Sequence, residues 1–270
     1  MEPTAAAHMQ TQDTTDLDFI ADLVSSLSAD PHSAAPVPEG MPQRRAPVNG
    51  LFIASREVIR VGVGMESPFI VDFSLRQRDA PARDGAPLPE LGSVQAVEHW
   101  MAEEAIAWMG EKRRDDLVGI LSVSMGTLCS GDFLDTLEAA GARAGVLPEC
   151  VCFEVPATAV HAAPDEAISA MRGLRMRGYS FAFGAFAPDT AGFEALKRVP
   201  PRYLRVFMGQ DDERAAYSTL VAAHRLARGL GLASIADGVG TEESFGRVRR
   251  VGVAYASGDA LGAEQPLAPW

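Results

Sequence analysis

Short β-rich runs alternate with helical stretches over roughly the last 220 residues of this chain, and strands that alternate with helices have few solutions other than a parallel sheet under covering helices. The runs are Glu57–Val63, Phe69–Leu75, Leu117–Val123, Cys150–Val155, Ser180–Phe183, Tyr203–Val206, Ala233–Ala236 and Val251–Tyr255. Helical periodicity fills 93–110, 131–144, 164–177, 190–198, 212–230 and 241–249. Gly145, Gly178 and Gly231 each stand between a helical stretch and the next run, where a helix is ended by a left-handed residue. Eight runs favour a (β/α)8 barrel over an open sheet. The first two runs have no helix between them, which predicts an irregular corner, a hairpin. Barrel chemistry sits at the C-terminal ends of the strands, here Ser124, Glu154, Gly184 and Ala185, Arg205, Asp237 and Ser257, with Asp72 after the second run.

Composition narrows the function. The 47% hydrophobic and 22% charged residues belong to a globular chain, not a disordered one. No apolar run approaches the roughly 18 residues of a membrane span, and the first residues lack the basic start and apolar stretch of a secretory signal. Three cysteines at no zinc spacing predict a reduced, cytoplasmic protein. A net charge of −12 disfavours nucleic acid, because binding through phosphates needs clustered cations.

Residues 1–49 are rich in Ala, Pro, Ser, Thr and Asp, with five prolines between Pro31 and Pro47, and read as an extension to a barrel domain at 50–268. One island, 15–28, is amphipathic. Leu17, Phe19, Ile20, Leu23, Val24 and Leu27 fall at or beside helical spacing, behind Asp16, Asp18 and Asp22 near the start, where carboxylates suit a helix dipole. Either the stripe packs on its own domain or it docks a partner protein.

Several segments, in order and at matching gaps, resemble a known family. IADGVGTEESFGRVRRVGVAYASGDALG, from Ile235, is similar to the A-E-G-V-E-T turn, helix and Q-G-Y-L-F-G segment that close an EAL domain, the bacterial cyclic di-GMP phosphodiesterase module. FAFGAFAPDTAGFEALKRVPPRYLRV, from Phe181, resembles that family's D-D-F-G-x-G, L-K-R-L-P and L-K-I-D segments. FEVPAT at Phe153 resembles L-E-I-T-E-S, and SVSMG at Ser122 resembles S-V-N-L-S. DFSLR at Asp72 takes the place of the E-A-L-L-R signature. The resemblance implies a modified (β/α)8, TIM-like barrel of the EAL type.

It also implies lost chemistry. Active relatives hold two divalent cations that activate a water, which takes several anionic oxygens around metals about 3.5–4 Å apart. By this resemblance Glu154 keeps a ligand, and Asp72 keeps another one methylene shorter. Ser124 replaces a ligand Asn, and Gly184 and Ala185 replace two aspartates. Ala157 replaces a Glu, and Arg205 replaces a Lys that assists the water. Asp237 and Gly240 replace the glutamates of E-G-V-E, Ser257 replaces the Gln of Q-G, and Arg76 matches a ligand-contacting arginine. Glu154 and Arg205 are also expected to pair across the barrel mouth. The reading that follows is a degenerate EAL domain without catalytic residues and without bound Mg or Mn. It acts as a regulatory, protein-binding adaptor in bacterial control of motility, adhesion or transcription. The alternative is a non-hydrolysing cyclic di-GMP receptor using Arg76, Glu154, Arg205 and Asp237.

Overall fold

The computed structural model describes residues 51–62, 68–77, 94–209 and 213–267. The helix expected at 15–28, and the boundary at residue 49, lie outside them.

The strands are β1 (Leu51–Arg60), β2 (Phe69–Gln77), β3 (Leu117–Ser122), β4 (Val151–Pro156), β5 (Ser180–Gly184), β6 (Tyr203–Phe207), β7 (Ala233–Asp237), β8 (Tyr255–Ala256) and a short β9 (Gln265–Pro266). β2 to β8 run parallel in sequence order, and β1 closes the ring by pairing antiparallel with both β2 and β8. This is the TIM-like barrel expected, with the expected hairpin at its first corner.

The helices are α1 (Val94–Lys112), α2 (Met125–Leu128), α3 (Gly131–Ala144), α4 (Ala157–Ala162), α5 (Asp165–Met176), α6 (Thr190–Arg198), α7 (Glu213–Leu230) and α8 (Glu242–Val251). Apolar spacing marked out the six longer ones to within two residues at each end. Local chemistry fixes their limits. Thr241 and Ser244 form a reciprocal capping box at the start of α8. Gly145 ends α3 at φ 68, a left-handed conformation that would strain a residue with a Cβ.

Three expectations need correction. β1 starts at Leu51, not Glu57; its first four residues, LFIA, are all apolar, which hides the strand alternation. Val251 ends α8, and the run expected at Val251–Tyr255 reduces to β8 at Tyr255–Ala256. The run expected from Cys150 starts at Val151, because Cys150 closes a 3-10 turn ahead of β4.

The strands separate two cores. Val58, Ile70, Val118, Ile120, Cys152, Ala182, Tyr203, Ile235 and Tyr255, drawn from all eight barrel strands, fill the interior. Residues of opposite parity, such as Phe73, Leu121, Phe153, Phe181 and Leu204, pack outward against Trp100, Met101, Phe133 and Met171 on the helices. Each such side chain contributes about 1.5–3 kcal/mol on burial.

Candidate functional site

Side chains alternate along a strand, so each interior residue dictates what stands one layer higher, at the mouth. Two positions beyond Ile70, Cys152, Ala182, Tyr203, Ile235 and Tyr255 stand Asp72, Glu154, Gly184, Arg205, Asp237 and Ser257. β1 runs the other way, so Arg56 is two positions before Val58 and directly opposite Asp72.

Arg205 is the centre of this layer. Its side chain is only 8% exposed, and three carboxylates converge on it. Nη1 donates to Asp72 Oδ2 at 2.9 Å, and Nη2 donates to Asp72 Oδ1, a two-pronged contact. Nε lies 2.8 Å from Glu154 Oε2 but makes no hydrogen bond, so that contact is Coulombic. Nη1 also lies 3.5 Å from Asp237 Oδ2. The expected pairing of Glu154 with Arg205 is present, within a larger cluster.

Titration follows from this packing. Burial disfavours the charge on Arg205, but Asp72, Glu154 and Asp237 more than restore it and hold its pKa well above the ordinary value. Burial raises the Asp72 carboxyl despite Arg205, and the nearby Asp237 charge adds to the rise. Asp237 goes the other way. Burial opposes its charge, yet Arg205, the Ser257 hydroxyl and the Gly238 amide together hold it below the usual carboxylate range. Ser257 Oγ donates to Asp237 Oδ1 at 2.6 Å, and the Gly238 N–H donates to the same oxygen at 2.9 Å.

Gly184 explains how Glu154 reaches Arg205. A Cβ at 184 would lie 2.5 Å from Glu154 Oε1 and 3.2 Å from its Cγ, so Glu154 fills the space that a side chain at 184 needs. Next to it, Ala185 is exposed at φ 44, a left-handed conformation in which Gly, Asn and Asp are at ease and Ala is not.

The other expected positions fall outside the cluster. Ser124 caps α2 by accepting from the Thr127 N–H, while its own N–H and hydroxyl donate to Glu98 at 2.9 and 2.8 Å. Ala157 opens α4 and packs in the outer core, and Gly240 is exposed. Arg76 donates in a fork to Glu264, Nε to Oε2 at 2.7 Å and Nη2 to Oε1 at 2.5 Å.

Sequence reasoning missed Arg56, Glu98, Asp259 and Glu264. Glu98 is 2% exposed, and burial first of all raises its carboxyl, against the pull of its Thr127 and Ser124 hydrogen bonds. The signal was present: Glu98 falls between Val94 and Met101–Ala102 on the apolar stripe of α1.

These residues do not fit a two-cation centre. Divalent ions need oxygens that face a common empty point, and here the oxygens of Asp72, Glu154 and Asp237 face a guanidinium. Among the described residues no three His, Cys, Asp or Glu side chains are grouped to hold a metal ion. The cluster holds one buried cation, Arg205, in place.

Residues 70–264 match the EAL domain family. The cyclic di-GMP phosphodiesterase PdeB of Shewanella oneidensis is 29% identical over 126 residues, which cover 45% of this chain and 15% of that protein. An uncharacterized protein of Azorhizobium caulinodans is 26% identical over 192 residues, 67% of this chain and 26% of the other. The chain thus spans about a quarter or less of the length of these curated relatives. Among solved structures, the PaMucR phosphodiesterase in complex with c-di-GMP superposes with a TM-score of 0.68 at 20% identity, covering 80% of this chain and 92% of that one. The Xanthomonas citri FimX EAL domain, also in complex with c-di-GMP, gives 0.67 at 17% identity, covering 82% and 90%. At such identities the superpositions show a shared fold.

Proposed function

The chain belongs to the EAL domain family, and we propose that it is a non-hydrolysing member that acts as a protein-binding adaptor in bacterial signalling tied to cyclic di-GMP. One observation carries the reading: Arg205 sits where carboxylate oxygens converge, held by Asp72, Glu154 and Asp237. Gly184 and Ala185 bring no carboxylate that could offset the loss, and Glu154 fills the space above Gly184. Mg or Mn therefore has no role in this reading, and Ser124, spent on Glu98, has none either. No described helix is long and apolar enough to cross a membrane, and we place the protein in the cytoplasm.

The partner-binding candidate is the apolar stripe Leu17, Phe19, Ile20, Leu23, Val24 and Leu27, in the extension ahead of the barrel domain. The adaptor reading expects that deleting residues 1–30 removes partner recovery while leaving barrel melting unchanged. A fall in melting temperature instead assigns the stripe to the barrel.

The second reading is a cyclic di-GMP receptor. It is favoured by the complexes that relatives of this fold form with that dinucleotide and by two arginines, Arg56 and Arg76, on the mouth-facing side of the first hairpin. Calorimetry with cyclic di-GMP, with and without Mg2+, combined with a turnover assay, decides between them. The adaptor reading expects no turnover and a dissociation constant weaker than about 10 µM, a binding free energy of roughly 7 kcal/mol. Turnover proportional to protein concentration refutes it, and submicromolar binding without turnover promotes the receptor.

A further inference from the structure

The chain does not stop at β8. Ser257 passes into a turn at Gly258, whose φ of 140 and close approach to the Val239 backbone, 2.2 Å from any added Cβ, admit only glycine. The chain then folds back to run as β9 against the edge of β1, with Ala54 opposite Pro266 and Ser55 opposite Gln265. The Leu267 N–H donates to Ile53 O at 2.9 Å, and Ser55 Oγ donates to Gln265 O at 3.2 Å.

This return path brings two carboxylates to two arginines. Arg56 Nη2 donates to Asp259 Oδ1 at 2.7 Å and lies 3.6 Å from Glu264 Oε1. Glu264 also takes the two-pronged fork of Arg76. Arg56 faces Asp72 across the hairpin, one row from the Arg205 cluster. Arg76 lies four residues beyond Asp72 on the same strand face, and the two guanidiniums meet at one oxygen, Glu264 Oε1, which is 2.5 Å from Arg76 Nη2 and 3.6 Å from Arg56 Nη2. Arg56 Nε is buried without a hydrogen-bond partner. A guanidinium fork that accepts a carboxylate presents the same geometry to a phosphate.

We propose that residues 258–267 form an acidic strap, with Glu264 and Asp259 holding Arg56 and Arg76 in the place of a phosphate-bearing ligand. The proposal rests on the reading of the mouth as non-hydrolysing. The strap is poised to release. Its strand pairing covers two residues; beyond that, backbone bonds from Ala260 to Val239 and from Leu267 to Ile53 tie it to the barrel, and a segment held by so few bonds opens more readily than the strands beneath it. Its carboxylates are the anchors that a competing anion displaces. Occupation of the two arginines thereby sets the position of the C-terminal segment, and an anion at the mouth is reported at the surface beside β1. By linkage, whatever holds the strap down weakens the anion by the same factor.

The test uses the full chain, wild type and Glu264→Gln, with cyclic di-GMP and inorganic pyrophosphate as probes in calorimetry. Hydrogen exchange is followed at the Leu267 amide. Glutamine keeps the size of the side chain and removes the charge, and a melting curve establishes that the variant is folded. The expected result is binding at least about tenfold tighter to Glu264→Gln than to wild type, within the usual range of coupling between sites. Faster Leu267 exchange in the variant accompanies it, and the added change Arg76→Ala cancels the gain. A gain with both probes identifies a general phosphate site, and a gain with the dinucleotide alone identifies a nucleotide site. Equal affinity of wild type and variant overturns the strap. If both are silent, the adaptor reading stands without it. If both bind with submicromolar affinity, the adaptor reading falls as well.

Discussion

Replacing Arg205 with methionine isolates what the central guanidinium does. Methionine keeps most of the packing along the side chain and removes the charge, so the loss is electrostatic. Wild type holds three carboxylates, on Asp72, Glu154 and Asp237, against one nearly buried cation. Breaking a buried ion pair on one side costs about 3–5 kcal/mol, because the remaining charge is left without compensation. For a barrel of this size each kcal/mol moves Tm by roughly 2–4 °C, so a fall of about 6–20 °C is expected. The pH dependence gives the result its sign. The Asp72 carboxyl is already raised by burial, and without Arg205 its folded-state pKa rises further above that of the unfolded chain. A group raised in this way contributes stability below its unfolded pKa and loses it as pH rises through the folded one. The deficit of Arg205→Met is therefore smallest in mild acid and grows toward neutral pH. Adding Asp72→Asn recovers part of it, since that residue makes the two-pronged contact. Denaturant unfolding from mild acid to neutral pH measures all of this. A variant within about 1 kcal/mol of wild type, or one whose deficit grows in acid, refutes the account of the cluster.

Four further outcomes are expected. Gly184→Asp lowers stability by about 1–3 kcal/mol through overpacking on Glu154 and yields no phosphodiesterase activity, as melting curves and a turnover assay check. Ala185→Gly raises stability by about 1 kcal/mol, because it relieves a left-handed backbone; an unchanged or lowered denaturation midpoint contradicts this. Asp237→Asn flattens the acid limb of the stability curve, since a carboxyl held below its ordinary pKa gives stability above the unfolded pKa and loses it as pH falls through the folded one. Glu98→Gln acts in the opposite window. It removes a loss of stability that develops as pH rises past the unfolded glutamate pKa, so wild-type and variant curves should converge in acid.

What the sequence revealed about this site followed strand periodicity. Once Ile70, Cys152, Ala182, Tyr203, Ile235 and Tyr255 are read as interior, a step of two residues leads to Asp72, Glu154, Gly184, Arg205, Asp237 and Ser257. Arg56 escaped because β1 opens with five residues of mostly apolar character that mask the alternation. Asp259 and Glu264 escaped for a different reason. They lie in a small-residue stretch with no period, and only the closure of the barrel brings that stretch back over β1. The Arg56–Glu264 approach at 3.6 Å spans the whole domain in sequence. Gly184 is the most instructive position. By resemblance it registers as a missing aspartate, a loss. In three dimensions it is also the vacated volume into which Glu154 leans on its way to Arg205. The absence of a side chain at 184 and the approach of Glu154 to Arg205 are thus one coupled arrangement. An aspartate placed at 184 meets the carboxyl end of Glu154, which must then shift away from the new Cβ. A carboxylate at 184 therefore calls for a change at Glu154 as well, which a double variant at the two positions would show as coupling between them.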